Sequence, residues 1–277
     1  GYVPFEALLT KQPAVPRRFY SHTYFGKERR ISYAYSATLL REMRDKRHKN
    51  EPSGSLLALA PFSRDDVKAL REQLDTLSEL IALRSDTLPV LRNSGREALV
   101  AEKIFKGNAL LGPDATKDTF QQLAGNYRIL HLSTHGKAND KIGDYAYLGF
   151  GLHGNTGGFD KFYVKDIYNL SLNADLVVLS ACETGIGQLQ RGEGIISLAR
   201  AFAYAGAKSI VTTLWQVDDA RTSRLMQGFY KNLYKGMPKD EALWHVKRDE
   251  FMESKTDAHP FFWAGFIPIG DMRPIKN

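Results

Sequence analysis

Four short apolar runs constrain this chain most: Leu56-Leu57-Ala58-Leu59-Ala60, Ile129-Leu130-His131-Leu132, Leu176-Val177-Val178-Leu179, and the stretch 208–214 around Ile210-Val211. Each is too short for a helix and too uniformly apolar for a strand with one wet face, so each reads as a strand buried on both sides. Helical patterns fill the intervals. Ser63 and Asp66 are spaced as a capping box ahead of Val67, Leu70, Leu74, Leu77 and Ile81, which recur at helical spacing. Helices are also expected over 37–46, 97–105, 194–204 and 238–251. Another starts with Asp114 as its N-cap and runs to about residue 123, and one opened by Asp218 or Asp219 carries Leu225, Phe229 and Leu233. Strands alternating with helices specify an α/β fold, a mostly parallel sheet with helices on both faces. Short strands at 31–35 and 110–111, a β-hairpin over 144–163 turning at Gly154-Asn155-Thr156-Gly157-Gly158, and a last strand over 259–269 complete the reading.

The chain has 277 residues, enough for one large α/β domain, and no apolar run approaches the roughly 20 residues of a membrane-spanning helix. No signal peptide is read at the N-terminus. One cysteine, Cys182, excludes an internal disulfide and a Cys-based metal site, and favours a reducing, cytoplasmic setting. No cofactor, metal or membrane contact is expected. The net charge of +7 sits entirely in the first fifty residues, which hold eleven Lys and Arg against four Asp and Glu. Arg41, Arg44, Lys46, Arg47, His48 and Lys49 form the densest cluster. Such a cluster serves either as a contact for nucleic acid or an acidic partner, or as a solvated helix end whose cations complement the helix dipole.

The chemistry lies at strand ends. The chain contains neither a Gly-x-Ser-x-Gly elbow nor a phosphate-binding loop. Gly149-Phe150-Gly151-Leu152-His153-Gly154 matches a dinucleotide fingerprint, but its glycines fall inside the expected hairpin rather than at a strand-to-helix turn. What remains is Cys182, which follows the strand read over 175–181, and His135, which follows the strand read over 128–134. Open α/β sheets place reactive groups at these C-terminal ends. Adjacent parallel strands lie about 4.8 Å apart, so a thiol and an imidazole delivered this way can meet as nucleophile and base. A buried structural thiol is the alternative reading of the cysteine. His135 is preferred as the base because Gly136 follows it and lets a substrate backbone approach; His131, within the strand, is read as support. The backbone N–H groups of Gly136 and Cys182 are candidate oxyanion donors.

Several segments together resemble one family. His131-Leu132-Ser133-Thr134-His135-Gly136, Leu179-Ser180-Ala181-Cys182-Glu183-Thr184-Gly185, Arg191-Gly192-Glu193-Gly194, Thr213-Leu214-Trp215-Gln216-Val217-Asp218-Asp219 and His259-Pro260-Phe261-Phe262-Trp263-Ala264-Gly265-Phe266 resemble, in order and spacing, the CHAT domain. The likeness is strong over residues 85–271. It implies a caspase-like fold related to separases, with the hairpin as an insertion, and a cysteine endopeptidase with a His135–Cys182 dyad. Residues 1–84 are expected to be the N-terminal, pseudo-peptidase-like part and residues 85–277 the peptidase core. The family normally has a strand just before the segment Pro4-Phe5-Glu6-Ala7-Leu8. The chain is therefore expected to be a C-terminal piece of a longer protein, with a tetratricopeptide-like region upstream that binds a regulatory partner. The expected substrate is a protein; contact with nucleic acid is expected only indirectly or through the basic N-terminal segment.

The resemblance also assigns secondary residues. Asp219 matches an acidic position in the separase pocket for the residue before the cut and would favour Arg or Lys; the competing role for Asp218 or Asp219 is to cap the following helix. Trp215 is either a pocket wall or core. Glu183 positions the loop after the cysteine, and Glu193 caps the following helix or braces its turn. The rival to an active peptidase is a non-catalytic scaffold of the same fold that mediates protein–protein contact.

Overall fold

A computed structural model describes residues 3–63, 91, 93–137, 145–151, 159–180, 182–183, 193–215 and 217–275. The helix read through Val67 to Ile81 and the hairpin turn at Gly154 to Gly158 lie outside these residues. Among them the strands are β1 (Gly54–Ala60), β2 (Asn108–Leu111), β3 (Tyr127–Leu132), β4 (His135–Lys137), β5 (Tyr147–Gly151), β6 (Phe159–Tyr163), β7 (Leu176–Leu179), β8 (Cys182–Glu183), β9 (Ser209–Thr213) and β10 (Phe266–Gly270). They form a six-stranded sheet in the order β10-β9-β7-β3-β1-β2 and a four-stranded sheet in the order β6-β5-β4-β8. The six-stranded sheet is parallel except for β10, which runs antiparallel to β9 at the edge.

The helices are α1 (Phe25–Glu28), α2 (Ala37–Asp45), α3 (Ser94–Phe105), α4 (Lys117–Leu123), α5 (Val164–Ile167), α6 (Glu193–Ala205), α7 (Asp219–Tyr234) and α8 (Lys239–Val246). Alternate strand residues separate into two cores, as a sheet covered on both faces requires. Leu57, Leu59, Leu130, Leu132, Val177 and Ile210 pack with Met43 of α2, Phe120 of α4 and Phe202 of α6. Leu56, Ala58, Ile129, Val178 and Val211 pack on the other face with Ala101 of α3, Phe229 of α7 and Leu243 of α8. The smaller sheet is held to the first core by aromatic rings. Phe150 of β5 and Phe162 of β6 lie 5.7 and 5.9 Å from Phe120 and 5.9 Å from each other.

Local chemistry sets the element boundaries, and some differ from expectation. Residues 31–35 do not form a strand; a single bridge joins Tyr33 to Ile269. Helix α4 is capped by Thr116, whose hydroxyl accepts the Thr119 N–H at 3.2 Å, and not by Asp114, which closes a preceding 3-10 turn. The segment read as a last strand over 259–269 begins with a 3-10 turn, because the His259 side chain accepts the Phe261 N–H and Pro260 fits the first turn. Only Phe266–Gly270 is strand. Gly206, just past α6, has φ +132°, and a Cβ there would stand 2.3 Å from the Leu172 carbonyl oxygen. The expected hairpin is present: β5 and β6 pair antiparallel from Tyr147↔Tyr163 to Gly151↔Phe159. Gly149 and Gly151 lie within β5, so the glycines of the apparent fingerprint that are described sit in a strand.

A buried ion pair ties the N-terminal segment to the body. Glu6, in the turn Phe5–Ala7, meets Lys247 in a π-helical stretch that continues α8, and Lys247 also donates to the Phe266 carbonyl of β10. Both side chains are almost fully buried. Burial pushes the Glu6 carboxyl up and the Lys247 ammonium down, and each partner's charge opposes that shift. Removing one partner strands the other charge in the core, at a cost of about 3–5 kcal/mol. Glu6→Ala is expected to lose that amount in urea unfolding, and Glu6→Leu combined with Lys247→Met to recover most of it. A loss below about 1 kcal/mol for Glu6→Ala, the size of an exposed pair, would contradict the assignment.

Candidate active site

Strands β3 and β7 pair with Leu132 opposite Leu179. Both chains then leave the main sheet and pair again as β4 and β8, with His135 opposite Cys182 and Gly136 opposite Glu183. The separation in sequence is 47 residues in both registers, so the alignment set in the large sheet carries through the crossing into the small one. Backbone hydrogen bonds span the crossing. Ser133 N–H donates to Leu59 O at 2.9 Å, and Ser180 N–H donates to Leu132 O at 3.0 Å. The Thr134 hydroxyl donates to the Gly149 carbonyl of β5. The strands expected over 128–134 and 175–181 thus end earlier, at Leu132 and Leu179, and His135 and Cys182 each open a further short strand rather than a loop.

His135 is 2% exposed, and its ring meets Phe62, just beyond β1, edge to face at 4.8 Å. Gly136 is flanked on both sides, by Leu148 of β5 and by Glu183 of β8. Glu193 is the first residue of α6. Asp218 is the N-cap of α7, where its carboxylate accepts the Arg221 N–H at 3.1 Å. Asp219 is the first residue of that helix. Trp215 donates its indole N–H to Phe261 O at 2.8 Å and stacks on that residue's ring. Gly265 makes room for it, since a Cβ there would stand 2.9 Å from the indole.

His131 belongs to a buried network that the sequence did not announce. Its Nδ1 lies 2.7 Å from the Tyr230 hydroxyl of α7, and its Nε2 lies 3.2 Å from Glu97 Oε1 of α3, off the line of a straight hydrogen bond. The Ser133 hydroxyl donates to Glu97 Oε2 at 3.4 Å. Burial lowers the His131 pKa to about 3, so the ring is neutral. Burial and the Glu97 charge hold the Tyr230 phenol well above its usual range. The arrangement that satisfies every group has Tyr230 donating to Nδ1 and Nε2–H facing the carboxylate. Glu97 reads in sequence as an ordinary acid in a first helical turn, and Tyr230 as a neighbour of the core residue Phe229. Neither carries a local signal of its partner, which comes from another helix or strand.

The architecture defines a caspase-like α/β protein. The chain belongs to the CHAT domain family, whose model matches residues 1–271. Its fold is similar to that of the Arg-specific cysteine proteinase gingipain R, with a TM-score of 0.53 at 11% identity over 86% of this chain and 52% of that one. It is also similar to the separase–securin complex of Saccharomyces cerevisiae, with a TM-score of 0.51 at 10% identity over 88% of this chain and 14% of that one. Tetratricopeptide repeat protein 28 of Mus musculus and of Homo sapiens is 34% identical over 105 residues, which is 38% of this chain. The chain spans about 4% of the length of those relatives. Among the described residues, no helix is long and apolar enough to cross a membrane and no cluster of three or more His, Cys, Asp or Glu is poised for a metal.

The His131 environment has a pH signature. The unfolded chain protonates this imidazole near 6.5, whereas the folded chain does so only near 3. Between those values the unfolded state binds the extra proton, so stability present above about pH 6.5 is lost as pH falls, by up to about 1.4 kcal/mol per unit. His131→Asn is expected to flatten that part of the stability curve relative to the parent. Denaturant melts at pH 4, 5, 6 and 7 check it, and an unchanged slope in the variant would contradict a neutral buried His131.

Proposed function

We propose that this chain is a caspase-like cysteine endopeptidase that cleaves a protein substrate with a Cys182–His135 dyad. The observation that carries the proposal is the parallel register that sets His135 opposite Cys182. Register partners on neighbouring strands stand about 4.8 Å apart, within the reach a thiol and an imidazole need to share a proton. His135 takes the Sγ proton and the thiolate attacks the scissile carbonyl carbon. The Gly136 and Cys182 N–H groups receive the charge that develops on the carbonyl oxygen. The C–N bond breaks as the imidazolium returns the proton to the leaving amine. Water then hydrolyses the thioester, with His135 again as base. His131 acts from below the site as a positioning group, with Glu183 and Glu193 bracing the surrounding loops.

Specificity is assigned to the segment after β9. Asp218 serves as a helix cap, which leaves Asp219 as the acid for a substrate Arg or Lys, with Trp215 alongside. The family resemblance supports this choice, as does the fold shared with an Arg-specific proteinase. The likeness to tetratricopeptide repeat proteins supports regulation by a protein partner bound to repeats upstream.

Cys182→Ala and His135→Gln are each expected to lower cleavage by at least about 10³-fold, with the melting temperature of Cys182→Ala staying close to that of the parent. Full cleavage by Cys182→Ala sinks the dyad. Failure of a thiol-reactive peptide probe to label Cys182, with the partner present, selects the scaffold reading instead. Asp219→Asn is expected to reduce the preference for Arg and Lys over Ala before the cut by about two orders of magnitude. An unchanged preference, measured as a ratio of kcat/KM values on matched peptides, removes Asp219 from the pocket.

A further inference from the structure

The opposite end of the main sheet carries a different constellation. Arg128 is the second residue of β3, Asp175 precedes β7, Lys208 precedes β9 and Glu51 precedes β1, so these residues gather at the strands' N-terminal ends. At a rise of about 3.3 Å per residue this end is on the order of 20 Å from Cys182. The C-terminal end of α2 and the segment after β10 close over it and leave a cleft of about 480 Å³. Seven Lys and Arg line the cleft against three carboxylates, a net of +4 from these ten residues.

The carboxylates do not neutralise these cations. Asp175 holds Lys208 at 2.8 Å, His48 at 3.0 Å and Arg128 at 3.2 Å, and Glu51 meets Arg128 as well, at 3.2 Å, so two of the three carboxylates are spent on Lys208, His48 and Arg128. Asp271 is taken by the guanidinium of Arg273 at 2.8 Å. Lys239 is 2% exposed, and its ammonium donates to the Asp271 and Arg273 carbonyls, at 2.9 and 3.0 Å. Among the described residues, Arg44, Lys46 and Arg47 have no ion-pair partner. Crowding has a cost: burial, with Lys49 and Lys208 adding to it, lowers the Lys46 pKa. Burial is also the main cause of the fall at Lys239 to about 8; the charges of Asp271 and Asp175 oppose it, and those of Lys208 and Arg273 add to it. A helix dipole accounts for cations at the end of α2, but not for Arg128, Lys208, Lys239 and Arg273 converging from four other places in the chain.

We propose that this cleft binds a small polyphosphate, a ligand with two or three clustered phosphate groups. Each phosphate monoester carries about −1.5 to −2 charge, so such a cluster matches the net charge of the cleft. Arg44 and Arg47, exposed at the rim, offer guanidinium forks suited to phosphate oxygens. Buried Lys239 and half-buried Lys46 supply charge from the floor. The concave shape favours a compact anion over a nucleic-acid strand, which needs a basic track along its backbone.

The test is titration calorimetry of the full chain at fixed ionic strength with inorganic tripolyphosphate, repeated with ATP. Saturable one-to-one binding is expected, weakened at least tenfold by Arg44→Ala/Arg47→Ala and less than twofold by Arg17→Ala/Arg18→Ala, an exposed pair elsewhere. Equal affinity for the two ligands assigns recognition to the phosphate chain alone, and tighter binding of ATP adds a nucleoside contact. Absence of saturable binding below about 1 mM overturns the proposal. So does equal weakening by the two double variants. Binding confined to single-stranded nucleic acid, with sites per strand rising with length, also overturns it in favour of a nucleic-acid surface. Circular dichroism of each variant excludes misfolding, and Arg47→Glu, which reverses one rim charge, must weaken binding at least as much as Arg47→Ala.

Discussion

The pairing of β3 with β7 is the constraint on which the rest of this protein depends. Leu130 sits opposite Val177 and Leu132 opposite Leu179, both pairs facing one core, and this apolar match fixes the register. A slip by one residue turns every side chain to the other face of the sheet, which would carry His131 away from Tyr230 and Glu97 and into the opposite apolar core. Because the register survives the crossing at Ser133 and Ser180, the same apolar match decides that His135 falls opposite Cys182. The packing that stabilises the sheet thus sets the geometry of its candidate chemistry. The short crossing is stiffened from both sides, by backbone bonds to the large sheet and by the Thr134 hydroxyl to the small one.

The two ends of that sheet differ in kind. At the C-terminal end, polar groups are drawn inward and paired: Tyr230, His131, Glu97 and Ser133 form a chain between α7, β3 and α3. Buried polar groups cost little when each has a partner and much when one is removed, so such a chain fixes one arrangement of the helices around the strand. At the N-terminal end, cations outnumber their partners around a cleft. The first end is built for a single geometry, and the second retains an excess of positive charge.

Much of the fold was legible in local pattern. Uniform apolar runs gave β1, β3, β7 and β9, because strands buried on both faces need apolar residues at every position. The hairpin β5–β6 and helix α6 followed from turn residues and apolar helical runs. Errors fell where a side chain competes for a backbone group. Thr116 took the cap expected of Asp114, and His259 with Pro260 turned the start of an expected strand into a 3-10 turn. The division of each key strand in two was not legible, because Ser133 and Thr134 are as compatible with a continuing strand as with a crossing. Partner choice alone separates the two outcomes.

The sequence by itself determined the α/β class, the placement of His135 and Cys182 just past β3 and β7, and the family, because apolar periodicity and motif order are local properties of the chain. The tertiary structure alone decided that β4 and β8 pair in a second sheet, with His135 in register with Cys182. It decided that Glu97 and Tyr230 meet His131, and that Lys247 answers Glu6 across 241 residues. It also gathered Arg44, Lys46, Arg47 and His48 of the basic N-terminal cluster with Arg128, Lys208, Lys239 and Arg273 into one cleft. Each of these joins residues distant in sequence, and their proximity follows from strand order and helix packing, which no local pattern encodes.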